Sequence, residues 1–201
     1  MMTITSYSVT LLFVFVLVGL STGVKAREGS TMNEQVLRKI EETAAKDNGW
    51  KVDDVRVEEI ERLRRPACSF FSAGHKVRPL SYLSNYALLS GTEIVGSGDG
   101  NVVAKIVDSC ANGASADWWA EIVTRFHEEL GDGIVLRDEQ TRPDIVRKLR
   151  EAGKTFAPPV LDPQRRSLRY LLLDPEAYVL YQVQATRSDS GPIEVVENEV
   201  L

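Results

Sequence analysis

The sequence predicts an α+β fold: a mainly antiparallel sheet packed against three to four helices. Three observations carry this. Helix-like and strand-like stretches fall in blocks instead of alternating strictly. The C-terminal end reads as three consecutive strands joined by turns, and two β-prone runs in the middle are linked by the pair Ser90-Gly91. The composition is that of an ordinary globular chain, with 43% apolar and 26% charged residues among 201, which excludes a disordered, collagen-like or coiled-coil protein.

The chain opens on an address. Val9 to Leu20 form a continuous apolar run interrupted only by Thr10 and Gly19, followed by Val24-Lys25-Ala26. A run of about 12 residues suits the apolar core of a secretory signal and falls short of the roughly 20 that span a bilayer. The expected reading is a signal peptide over 1–26 and one α+β domain over 27–201, with a seam near 157–159 at Ala157-Pro158-Pro159. The segment before the run carries no Lys or Arg, an irregular feature for such a leader. The expected location is secreted or periplasmic, with no stable membrane span after cleavage.

Within the remaining chain the first helix starts after Asn33, buries Val36, Leu37, Ile40 and Ala44 at helical spacing, and stops at Asn48-Gly49. Over 52–65 a strand period at Val55 and Val57 competes with a step of three through Val57, Ile60 and Leu63. The reading adopted is a strand with a bulge at Glu58-Glu59. Cys68 to Phe71 is a further short strand, followed by a loop containing His75. Tyr86–Leu89 and Thr92–Val95 form the hairpin, whose turn needs the positive φ that Gly91 supplies.

The Gly-rich stretch from Gly96 to Asn101 then opens a helix with Val103, Ile106, Val107 and Cys110 on one face, stopped by Asn112-Gly113. Ser115 or Asp117 starts the next, whose stripe runs through Trp119, Ile122, Val123, Phe126 and Leu130 to a stop at Gly131. Ile134–Leu136 is a buried strand. Thr141 caps a last helix, with Asp144 three residues on, a core face of Ile145, Val146 and Leu149, and Gly153 as its end. Strands over 169–173, 178–186 and 193–201 complete the chain. In the middle one, Val179, Tyr181, Val183 and Ala185 make the side expected to meet the helices.

The residues that carry chemistry are scarce: two cysteines and two histidines. In an exported chain Cys68 and Cys110 are a candidate disulfide, closing a loop of about 43 residues for roughly 4 kcal/mol in the chain-entropy model. The Gly-rich stretch fails the dinucleotide fingerprint, with Asn101 or Val103 where glycine is required, and lacks the Lys of a Walker loop. A zinc helix around His127 would need histidine where Gly131 stands. No cofactor and no metal is therefore expected, and no catalytic residue is assigned. His75 could pair with Cys68 as a thiol enzyme only if the fold brings them together.

The candidate ligand or partner residues are Trp118, His127 and His75, with Trp118 as an aromatic surface. Two arginine clusters, Arg62/Arg64/Arg65 and Arg165/Arg166/Arg169, would make a carboxylate site if they met. The formal charge of −5 becomes −6 without residues 1–26, whose single charged side chain is Lys25, so no general attraction for nucleic acid exists. The functional expectation is an extracytoplasmic module that binds a protein or small molecule. A small secreted hydrolase or thiol enzyme is the alternative, and an acidic, inhibitor-like partner of a basic protein the second alternative, which needs a contiguous acidic patch.

Overall fold

A computed structural model describes residues 34–77, 83–131, 133–162, 164 and 166–201. The signal-peptide reading of 1–26, the Asn33 cap and Arg165 lie outside the described residues. Over the rest the fold is α+β, with one four-stranded and one five-stranded antiparallel sheet and four helices among the described residues.

Helix α1 (Glu34–Asn48) buries Ile40, Ala44 and Ala45, while Val36 and Leu37 are half-buried. Gly49 ends it at φ 68°, and the Trp50 N–H closes the last turn on Ala45 O at 2.8 Å. Strand β1 (Val55–Glu59) pairs with β2 (Cys68–His75) in unbroken register from Val55↔His75 to Glu59↔Phe71, so the expected bulge at Glu58-Glu59 is not formed. The strand simply ends there. A 3-10 turn at Glu61–Leu63, with its three residues per turn, then brings Ile60 and Leu63 inward. The step of three was thus the signature of this turn. His75 is not in a loop: β2 continues past Phe71 and His75 is its last residue.

β3 (Ser84–Leu89) and β4 (Glu93–Gly96) form the expected hairpin. Ser90 and Gly91 both adopt positive φ, 49° and 73°, and the Thr92 N–H donates to Leu89 O at 3.1 Å. Asp99 then caps α2 (Gly100–Cys110), its carboxylate accepting from the N–H groups of Asn101 and Val102. Ser115 caps α3 (Ala116–Phe126) in the same way through the Trp118 N–H.

Helix α3 stops at Phe126, before the predicted Gly131. Gly98 intervenes: its N–H donates to Phe126 O at 2.9 Å, and its carbonyl accepts the Glu128 N–H at 2.8 Å. This strand-like bridge pulls His127 out of the helix. The predicted cap of the last helix also fails. In α4 (Pro143–Glu151) Arg142 occupies the cap position without a side-chain bond, Pro143 starts the helix, and Thr141 is tied to the Asp138 carboxylate. Asp144 turns instead to Arg142 and to the Tyr178 hydroxyl.

The second sheet is built on β7 (Ser167–Asp174) and β8 (Val179–Arg187), with β9 (Ile193–Glu199) beyond β8 and the short strands β5 (Ile134–Val135) and β6 (Val160–Leu161) beside β7. Helices α2 and α3 form a shared layer between the sheets. Their apolar faces meet Phe70, Ala87 and Leu89 of the first sheet and Leu168, Tyr170, Leu172 and Val183 of the second in one continuous core. α1 lies against β1 and β2, and α4 adds a smaller core of Leu136, Ile145, Leu149, Leu171, Leu173 and Leu180. A disulfide joins Cys68 of β2 to Cys110 of α2, with Cα atoms 5.9 Å apart. No helix among the described residues is long and apolar enough to cross a membrane.

Candidate functional site

The early end of α3 makes a concavity. Released from the helix at His127, the chain turns through Glu128 to Gly131, with the Leu130 N–H on His127 O at 3.2 Å and Gly131 at φ 58°. This turn faces the β7–β8 connection, where the Asp174 carboxylate accepts the N–H groups of Glu176 and Ala177. Between them lies a cleft of about 430 Å³ with Leu130, Leu172 and Tyr181 in its lining. Five carboxylates line it, Glu128, Glu129, Asp174, Glu176 and Glu197, and no Lys or Arg does. Gly133 also lines it, where a Cβ would stand 2.6 Å from Leu172. Burial pushes the Glu197 carboxyl above its ordinary value, and the charges of Glu129 and Asp174 push it the same way against an opposing pull from His127. A cation entering the cleft would relieve that repulsion.

His127 itself is buried, 7% exposed, with Nδ1 accepting the Glu129 N–H at 3.4 Å. It therefore borders the acidic turn. Trp118 does not offer an aromatic surface. It is 6% exposed, its Nε1–H donates to Leu63 O at 2.9 Å, its ring meets Phe70 edge-on, and Arg65 covers it. Helical geometry put one of two adjacent tryptophans at the core edge; the 3-10 turn at Glu61–Leu63 closes over that edge. His75 stands edge-on to Trp50 at 5.6 Å, accepts the Val77 N–H at Nδ1, and lines a hollow of about 100 Å³ with Ser72 and Glu58. Among the described residues no hydrogen bond or ring contact joins any two of Trp118, His127 and His75.

The disulfide leaves Cys68 no thiolate for the pairing with His75. The arginines of the first cluster are occupied by the chain itself: Arg62 by Glu121, Arg64 by Glu59 and Arg65 by Asn112 O. Arg166 pairs with Asp189. Sequence reading missed Glu121, a carboxylate inside α3 that holds Arg62, Arg125 and Arg137 together. It also missed the cleft, whose acids come from three separated stretches with no spacing to betray them. Among the described residues no group of three or more His, Cys, Asp or Glu side chains could hold a metal ion.

Comparison with protein-family models, with curated proteins and with solved structures finds no match for this chain.

Proposed function

We propose that the chain is exported, loses residues 1–26, and acts as a binding module whose cleft receives a cationic side chain of a basic protein. One observation carries the binding reading: a concave site lined by five carboxylates and no Lys or Arg, with Leu130, Leu172 and Tyr181 also in the lining. Five carboxylates in one cleft support the reading of an acidic partner of a basic protein. The acids raise the association rate and select the sign of the ligand, while Leu130, Leu172 and Tyr181 can cover the aliphatic stem of a lysine or arginine. The export reading rests on the apolar run at Val9–Leu20, and a cystine is at home in an oxidising compartment.

Titration calorimetry with an oligolysine peptide tests the binding. Affinity is expected to fall steeply with added salt, and the pair Glu129→Lys and Glu197→Lys should weaken it at least tenfold. Glu42→Lys with Glu151→Lys, the same charge change elsewhere, should weaken it far less. Equal losses from the two pairs would reduce the effect to net charge and defeat the assignment to the cleft.

A further inference from the structure

A second concavity shares no residue with the acidic cleft. It is a slot of about 10 Å³, room for one atom-sized occupant, opening between α3 and the strands β7, β8 and β9. Its aliphatic walls include Leu168 and Ile193, and the polar residues lining it include Ser167, Thr186 and Arg166. Trp119 also lines it, and this indole is the unexplained group. The residue is 5% exposed, yet its Nε1–H has no hydrogen-bond partner among the described residues. The neighbouring Trp118, equally buried, has its N–H bonded to Leu63 O. A buried donor left without an acceptor costs about 1–3 kcal/mol, so such groups are rare in native proteins unless something fills the need.

The chemistry of the lining narrows the occupant. An indole N–H donates and cannot accept, and the same holds for a guanidinium, so the occupant must be an acceptor. Arg187, also in the lining, spends Nε on Gly191 O and both terminal nitrogens on Asp108. Arg166 is freer: it is paired with Asp189, but the side chains are 59% and 84% exposed, and a pair so exposed holds weakly. The apolar walls penalise an ion that keeps a tight water shell and favour one that sheds it readily. We propose that this slot binds a single anionic acceptor, a halide or one oxygen of a carboxylate, on the Trp119 indole N–H, with Arg166 supplying charge at the mouth.

The indole N–H signals of Trp50, Trp118 and Trp119, followed by nitrogen–proton correlation spectra of the full mature chain, test this. Sodium bromide is titrated in one arm and sodium acetate in the other, and a third arm of sodium sulfate at matched ionic strength gives the reference for a general salt response. The expected result is a saturable shift of the Trp119 signal in the bromide or the acetate arm, with Trp50 and Trp118 nearly still. A bromide-only response identifies a halide site; a response to acetate identifies carboxylate recognition. Arg166→Gln removes the charge at the mouth and should raise the midpoint at least threefold. Two results overturn the proposal: all three signals drifting together without saturation, or Trp119 showing exchange contact with water and no response to either anion.

Discussion

Glu121 is the residue with most at stake. Its carboxylate is about nine-tenths buried and is held by guanidiniums from three places: Arg62 in the turn after β1, Arg125 one turn along α3, and Arg137 after β5. Burial alone would raise its pKa; the hydrogen bonds from Arg137 and Arg125 outweigh that and leave it below the ordinary 4.5. A depressed carboxyl pKa contributes stability that is complete above the unfolded value and is lost as pH falls through the folded one. Glu121→Gln should therefore cost about 2 kcal/mol near neutrality in urea unfolding. The gap between variant and native protein should close as pH drops below about 4.5. A gap that is constant with pH would assign the loss to packing. None of this was legible beforehand, because a glutamate in an apolar helix stripe looks like surface until its three partners arrive from elsewhere. Trp118 misled for the same reason, since the turn that covers it sits 55 residues earlier.

At the scale of elements, local chemistry was readable and long-range contacts were not. The interior faces of α2 and α4, the hairpin turn and the last three strands follow from spacing and turn residues. Their ends were misplaced where a distant strand or side chain intervened: Gly98 at the end of α3, Tyr178 at the start of α4. Asp99 is a local feature, and Asp99→Ala should destabilise the protein through the lost cap, measured as a lower midpoint of thermal unfolding. The next residue is a long-range one. A Cβ on Gly100 would stand 2.0 Å from Ile193 O, a backbone atom of β9 that cannot turn aside. Gly100→Ala should cost more than the cap, roughly 2 kcal/mol or above, although alanine is the better helix former. A neutral effect would show that α2 can shift away from β9. The disulfide links half-cystines 42 residues apart, and Cys68→Ser with Cys110→Ser should remove about 4 kcal/mol, read from denaturant midpoints.

The whole molecule is organised by the layer of α2 and α3. Because both sheets bury their inner faces on the same two helices, neither can lose its core alone. Urea unfolding followed by far-ultraviolet dichroism and by tryptophan fluorescence should give coincident transitions. Separate midpoints would mean that the sheets melt independently. The fold class was visible in the sequence because blocks of period-two and period-3.6 hydrophobicity survive whatever the tertiary arrangement. The cleft was invisible because it is a property of three chain segments meeting.

The position of the cystine has a practical corollary. Both clefts are built from residues after Cys110, while the covalent loop encloses only what lies between β2 and α2. A protease nick inside that loop would leave one band on a non-reducing gel and two on a reducing gel. A nick beyond it, between α3 and β9, would give two bands on either gel, so a simple digestion reports which half of the molecule was cut.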